Sequence, residues 1–152
     1  MTNYQLSSAG VELIREFEGL RLEAYQCQAG VWTIGYGHTR GVKRGMKITA
    51  QQAETLLRGD MLPVAKWVNG LNVAKSQNEF DALVVFGFNC KLSALQRSTL
   101  LEYIRMGKTE AEIRGQWMRW NKVLDPRTGH YIESRGLTRR RKAEADLYFR
   151  KD

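Results

Sequence analysis

The segment Glu16–Thr39, EFEGLRLEAYQCQAGVWTIGYGHT, decides how the first third of the chain folds. Apolar residues recur at helical spacing up to Phe17, and Gly19 is typical of the residue that ends a helix. Gln28–Gly30 has the composition of a turn, and the apolar run Val31–Tyr36 has that of a strand. The segment therefore predicts the end of a helix followed by a short β-hairpin.

Three polar residues of this segment suggest chemistry. Glu18 falls in the last helical turn, where the helix dipole disfavours a negative charge and so favours a protonated carboxyl. If the turn reverses the chain, Cys27 and Thr33 lie on adjoining strands of one hairpin. A protonated carboxyl facing groups that can hold a water is the minimum equipment for glycoside hydrolysis. Solvation of Glu18, packing of Cys27 and β-propensity of Thr33 explain the same residues without any activity.

The composition sets limits on the class of protein. A length of 152 residues fits one domain or two small lobes that share a core, and 43% apolar residues exclude wholesale disorder. The formal net charge of +8 draws the chain to polyanions, which include nucleic acid, anionic lipid headgroups and acidic wall polymers. Charge alone does not choose among these three.

The sequence also carries expectations about compartment and cofactors. No apolar run approaches the roughly 18 residues of a membrane-spanning helix, and the first residues are too polar and acidic for a secretory signal. We therefore expect a cytosolic chain without membrane insertion, in which Cys27 and Cys90 are free thiols. These cysteines and the two histidines, His38 and His130, are scattered without metal-ligand spacing, so we expect no metal and no cofactor.

Beyond the hairpin, the pattern predicts helices almost throughout, in segments 48–61, 63–69, 76–90, 93–107, 109–123 and 136–149. Thr49 is a good N-cap for the first of these segments, and Pro63 is predicted to begin the second because proline is disfavoured inside a helix. Asp125–Gly129 reads as a turn, and Thr138 is a possible N-cap of the closing helix. The fold class predicted is α+β, with a small β element in the first third.

The same segment resembles the active-site region of the phage-type lysozymes, the endolysins of tailed bacteriophages. That family shows a Glu, eight residues, an Asp or Cys, five residues and a Thr, which fall without a gap on Glu18, Cys27 and Thr33. The likeness continues through ITAQQAETLL, NEFDALVVFGFN, STLL and GLTRRRKAEADLYF, and so covers nearly the whole chain.

The resemblance implies a lysozyme-like fold of two lobes with a cleft between them. Residues 1–152 would form a single catalytic domain, with a small hairpin lobe at about 15–60 and a helical lobe at about 61–152 plus the N-terminal helix. The implied activity is hydrolysis of the β-1,4 bond between N-acetylmuramic acid and N-acetylglucosamine in bacterial peptidoglycan, which lyses the host. Such endolysins stay in the host cytoplasm until they are released to the wall, and we expect a monomer.

By the same resemblance, Glu18 is the general acid and Thr33 helps position the nucleophilic water. Cys27 occupies a position more often held by Asp. Whether its sulfur acts as a thiolate base, a covalent group or a water-orienting group stays open. The resemblance also pairs His38 with Asp60 as a structural ion pair.

The remaining site residues are implied with the cleft. Asn89 matches an amide on the cleft-facing helix, and Ser98 and Thr99 either line the cleft or cap the helix that follows. Arg140 or Arg141 matches a basic position of the substrate site that pairs with the catalytic glutamate, and the sequence does not choose between them.

Three competing functions remain to be weighed. A nucleic-acid binder is suggested by the basic run Arg139–Lys142, but the aromatic residues fall at helical core spacing and do not interleave with that run, so we expect no nucleic-acid partner. A lytic transglycosylase needs only the acid, and a water-holding Thr33 favours hydrolysis instead. A wall-binding relative without activity is the third alternative.

Overall fold

Seven helices and two short antiparallel hairpins form the regular structure of residues 3–151, the part of the chain that the computed structural model describes. The helices are α1 Ser8–Phe17, α2 Ala50–Leu71, α3 Gln77–Cys90, α4 Leu92–Gln96, α5 Thr99–Arg105, α6 Glu110–Met118 and α7 Arg135–Phe149. The strands are β1 Arg21–Gln26, β2 Trp32–Gly35, β3 Lys122–Leu124 and β4 Tyr131–Glu133. The predicted α+β class is confirmed.

The first hairpin follows α1 directly, as the sequence predicts. β1 and β2 pair antiparallel with Tyr25 opposite Thr33, and Gly30 closes the turn at a φ of 78°, which glycine adopts without strain. A third extended segment joins β1 on its other side, where the amide of Ala24 donates to the carbonyl of Met46 over 2.9 Å. The hairpin is thereby widened into a small β element.

A histidine clamp holds the loop beyond this hairpin against α2. Nδ1 of His38 lies 2.9 Å from Oδ2 of Asp60, and its Nε2 lies 2.9 Å from the carbonyl oxygen of Arg40. Both ring nitrogens are therefore occupied, and the imidazole is not available for proton transfer to a ligand. The predicted ion pair between His38 and Asp60 is present, and His130 is exposed in the turn before β4.

α3 is the centre of the core, which confirms the prediction from its apolar sequence. All eight residues from Phe80 to Gly87 are buried, and the helix packs against α1, α2, α4 and α7. α3 and α7 run antiparallel. At one end, the side-chain amide of Asn78 donates to the carbonyl of Arg150 over 2.9 Å. At the other end, the guanidinium of Arg141 donates to the side-chain oxygen of Asn89 over 2.7 Å.

The prediction that Pro63 begins a new helix is wrong, because α2 runs unbroken through it. Pro63 is exposed, so the carbonyl of Gly59 that lacks an N–H partner faces water, while the opposite face buries an apolar stripe that includes Met61 and Val64. Burial of that stripe outweighs the lost hydrogen bond. Within residues 3–151, no helix has both the length and the hydrophobicity needed to cross a bilayer.

The segment between α3 and α7 also differs from the prediction. The single helix expected at 93–107 is two short helices, because the hydroxyl of Ser98 accepts from the amide of Leu101 and starts a new one. The helical segment expected at 109–123 ends at Met118, and its last residues enter β3. The turn predicted from DPRTG therefore connects a second hairpin that the sequence pattern did not reveal.

The closing helix α7 begins three residues before Thr138, the residue expected to cap it. Ser134 is the N-cap, and its hydroxyl accepts from the amide of Leu137 over 3.2 Å. The hydroxyl of Thr138 instead donates to the carbonyl of Ser134 and accepts from Asn121. This earlier start places the basic run within the first two turns of α7.

The capping box of α2 gives a stability test. The side chain of Thr49 accepts from the amide of Gln52, whose own side chain accepts from the amide of Thr49. Thr49→Ala should lower the free energy of unfolding by about 1 kcal/mol, measured by urea denaturation. Thr55→Ala removes an exposed hydroxyl later in the same helix and should change stability less. Equal losses in the two variants would contradict the role of the cap.

Candidate active site

Glu18 stands at the junction of α1 and the first hairpin. It is the C-cap of α1, with an extended backbone (φ −95°, ψ 124°), and its amide donates to the carbonyl of Ile14 over 2.8 Å. The sequence pattern predicted that Glu18 lies inside the last turn of the helix. In the structure it lies just past the end of the helix. The hydrogen-bonded amide fixes the backbone from which the carboxyl projects.

Arg140 is the arginine that pairs with this carboxylate. Its Nη2 donates to Oε1 of Glu18 over 2.9 Å, and the two side chains are 13% and 26% exposed. The guanidinium also lies 5.5 Å from the ring centroid of Phe17, and its Nε is buried with no hydrogen-bond partner within residues 3–151. Arg140 thus donates to Glu18 through Nη2, while its Nε has no partner within residues 3–151.

The carboxyl of Glu18 borders an open surface pocket. The pocket is lined by Glu12, Arg15, Glu16, Glu18, Leu20 and Tyr36. Nε of Arg15 donates to the hydroxyl of Tyr36 over 3.1 Å, which joins the end of α1 to the residue after β2. Arg15 and Tyr36 were not singled out from the sequence. Arg15 lies in the last turn of α1, three residues before Glu18 in sequence.

Cys27 and Thr33 meet at the tip of the first hairpin. The amide of Cys27 donates to the carbonyl of Val31 over 3.0 Å, and the buried hydroxyl of Thr33 donates to the same carbonyl over 3.0 Å. Cys27 is half-buried, and it shares the carbonyl of Val31 with Thr33 as a common hydrogen-bond acceptor. The expected proximity of the two side chains is thus present in the structure.

The surroundings of the Cys27 sulfur favour its thiolate. Hydrogen bonding from the backbone of Val31 lowers the pKa of Cys27, and the backbone of Ala29 and the hydroxyl of Thr33 act in the same direction. This shift partly offsets the weaker acidity of a thiol compared with a carboxyl. An anion at this position is therefore chemically accessible.

Arg141 is buried and pairs with Glu144, whereas Arg140 meets Glu18. Its Nη2 donates to Oε2 of Glu144 over 2.9 Å and to Oδ1 of Asn89 over 2.7 Å, and the indole of Trp117 donates to Oε1 of Glu144 over 3.0 Å. Only 1% of the Arg141 side chain is exposed. Burial raises the pKa of Glu144, and the charge of Arg141 opposes that effect.

The sequence offered a signal for this pair that was missed. Arg141 and Glu144 are three residues apart on a helix and therefore share a face. Asn89, expected in the cleft, is half-buried and borders a surface pocket with Trp120 and Tyr131 while its oxygen holds Arg141.

Ser98 takes the N-cap position that the sequence left open, and Thr99 follows it as the first residue of α5. The hydroxyl of Ser98 donates to the carbonyl of Leu95 over 2.6 Å and accepts from the amide of Leu101, and Thr99 is the exposed first residue of α5. No hydrogen bond found within residues 3–151 joins either side chain to Glu18. The structure therefore assigns both to the start of α5.

The fold and this arrangement define a class of protein. A glutamate at the end of the first helix is paired with an arginine of the last helix, and the hairpin that follows the glutamate carries a polar pair, all on an α+β framework. The sequence profile of the Phage lysozyme family matches residues 15–144. The chain belongs to the phage lysozyme family.

Individual relatives agree with this assignment. The chain is 40% identical over 144 residues to the endolysin of Acyrthosiphon pisum secondary endosymbiont phage 1, a match covering 94% of this chain and 97% of the relative. The muramidase domain of SpmX from Asticaccaulis excentricus superposes with a TM-score of 0.87 at 38% identity, covering 97% of this chain and 99% of that domain. The endolysin from Escherichia coli O157:H7 phage FAHEc1 gives a TM-score of 0.82 at 43% identity, covering 97% and 95%.

The buried pair of α7 gives a second stability test. Arg141→Met leaves the Glu144 carboxylate buried without its cation, and should lower the free energy of unfolding by about 3–5 kcal/mol. The double variant Arg141→Met, Glu144→Leu removes both charges and should recover most of that loss. Urea denaturation of the two variants and the parent measures the coupling. A double variant as unstable as the single one would contradict the pairing.

The two thiols should react with iodoacetamide at different pH. Because hydrogen bonds lower the pKa of Cys27, its thiolate forms at lower pH than an ordinary thiol, and its alkylation rate should rise earlier with pH. Burial raises the pKa of Cys90, so its rate should rise later. Mass spectrometry of the two cysteine peptides measures both profiles, with Cys27→Ser and Cys90→Ser as controls. The reverse order would contradict the described environments.

Proposed function

We propose that the protein is an endolysin that hydrolyses the β-1,4 bond between N-acetylmuramic acid and N-acetylglucosamine in bacterial peptidoglycan. The observation that carries this proposal is the ion pair of Glu18 with Arg140 at the edge of an open pocket beside the first hairpin. Family membership and the names of the relatives support the same reaction class.

Glu18 acts in this proposal as the general acid that protonates the leaving oxygen. Because Arg140 contributes a single donor to Glu18 and both side chains are partly exposed, a sugar that enters the pocket can displace that contact. Loss of that contact leaves the carboxyl free to meet the leaving oxygen.

Cys27 and Thr33 hold the attacking water. The hydroxyl proton of Thr33 is engaged by the carbonyl of Val31, which leaves the oxygen lone pairs available as acceptors. The sulfur of Cys27, with its lowered pKa, is a second acceptor beside it. Two acceptors orient both hydrogens of one water and so direct its lone pair toward the anomeric carbon.

This pair also distinguishes hydrolysis from its alternatives. A lytic transglycosylase uses a hydroxyl of the sugar as the nucleophile and has no need of water-holding groups. A non-catalytic wall binder has no need of an exposed carboxyl with a displaceable cation. The proposed partner is peptidoglycan. The protein acts as a monomer with a single catalytic domain, and it reaches the wall from the host cytoplasm at lysis.

Glu18→Gln tests the acid. The amide cannot donate a proton to the leaving group, so the rate of wall lysis should fall by roughly 10²–10⁴-fold, measured as loss of turbidity of outer-membrane-permeabilised cells. Glu133→Gln is the matched control, since it removes an exposed glutamate of β4 that does not line the pocket of Glu18 and should retain activity. Clearing by Glu18→Gln at the parental rate would overturn the assignment.

The Cys27 position separates the water-holding role from an idle one. Cys27→Asp keeps an anion that accepts hydrogen bonds and should retain lysis, whereas Cys27→Ala removes the acceptor and should lose much of it. Both variants are made in a Cys90→Ser background so that only one thiol changes. Reducing ends among the released sugars indicate hydrolysis, and 1,6-anhydro sugars would indicate a transglycosylase.

A further inference from the structure

A groove lies at the end of the helical lobe where α3 begins and α7 ends. Its floor is apolar, formed by side chains that include Val73, Ile104 and Ile113, and its rim carries Lys75 and Arg150. A second depression continues from it past Ile104 and shares Val73 and Lys75. We call the two together the far-end groove.

The far-end groove is separate from the candidate active site. α3 and α7 are antiparallel, with Arg140 near the start of α7 and Arg150 just past its end. Ten residues at the rise of an α-helix span about 15 Å. A ligand in the groove therefore leaves the pocket of Glu18 open.

The rim of the groove is strongly basic. Lys75, Arg105, Arg150 and Lys151 border it, and none of these four takes part in an ion pair within residues 3–151. The acid inside the groove is already engaged, because Glu79 accepts from the amide of Lys75 over 3.2 Å and is hydrogen-bonded to Tyr148. The cations are consequently free to meet an anionic partner.

An exposed apolar side chain stands among these cations. Met106 is 60% exposed in the turn between α5 and α6, next to Arg105 and two residues before Lys108. A long apolar side chain flanked by Lys and Arg is typical of residues that enter the interface of a bilayer while cations stay at its headgroups. Charge and hydrophobicity at this end of the lobe thus match the same kind of partner.

We propose that the far-end groove docks the protein peripherally on an anionic phospholipid surface. The basic rim binds phosphate headgroups, and Met106 enters the interface.

A nucleic acid is disfavoured because the aromatic rings at the groove are occupied. Phe149 packs 4.8 Å from Tyr148 and 5.1 Å from the guanidinium of Arg114, so no ring is free to stack on a base. This inference goes beyond the proposed function and does not depend on it.

Vesicle co-sedimentation at low salt tests the proposal. The full chain should bind vesicles of phosphatidylglycerol and phosphatidylethanolamine, and should not bind phosphatidylcholine vesicles. The double variant Lys75→Gln, Arg150→Gln removes two rim charges and should bind the anionic vesicles roughly 30-fold more weakly. Met106→Ser should also weaken binding while keeping its dependence on salt.

A matched control separates the groove from net charge. Arg40→Gln, Lys43→Gln removes two exposed cations of the small-lobe loop, so its net charge equals that of the groove variant, and it should bind within about twofold of the parent. Thermal unfolding shows that the variants remain folded, without reference to catalysis. Equal losses in both double variants, no binding by the parent, or a lipid-free dimer that the groove variant disrupts would each overturn the proposal.

Discussion

The buried contact between Arg141 and Glu144 is the constraint on which the rest of the site depends. Taking two charges out of water is costly, and the geometry offsets this only when the remaining donors and acceptors are satisfied. Here the carboxylate also accepts from the indole of Trp117, and the guanidinium also donates to Asn89. The contact therefore ties α7 to both α6 and α3, and it fixes the rotation of α7 about its own axis. Successive residues of a helix are about 100° apart, so a buried Arg141 leaves Arg140 at the edge of the helix, where it reaches Glu18.

The site is assembled from parts that differ in how they are held. Glu18 and Arg140 are 122 residues apart in sequence, and their contact depends on the packing of α7. Cys27 and Thr33 depend only on the hairpin, whose backbone hydrogen bonds bring them together without help from the helical lobe. The proposed acid is thus controlled by tertiary packing, and the pair proposed to hold water is controlled by local structure. A change that loosens α7 would release the acid from its cation while the hairpin stayed intact.

The same distinction explains what could be predicted from the sequence. The first hairpin, the core helix α3 and the ion pair of His38 were predictable because spacing, apolar runs and family resemblance are properties of short segments or of matched motifs. The prediction of a helix start at Pro63 was wrong because the exposure of Pro63 is set by tertiary structure. That exposure makes the lost hydrogen bond tolerable. β3 and β4 were missed because each has only three residues, too few for alternation to be read. The choice between Arg140 and Arg141 required the rotation of α7, which no local pattern contains.

Charge is distributed along α3 and α7 in a way that unites the two proposals. At the end near Glu18, two cations of α7 are matched. Arg140 meets Glu18, and Arg141 meets Glu144. At the opposite end, four cations of the groove, Lys75, Arg105, Arg150 and Lys151, have no ion-pair partner within residues 3–151. Unmatched charge attracts polyanions, whereas matched charge positions a side chain and gives little attraction at a distance. The excess positive charge of the chain therefore acts where it does not disturb the acid, and a protein held at its far end by an anionic surface presents the pocket of Glu18 away from that surface.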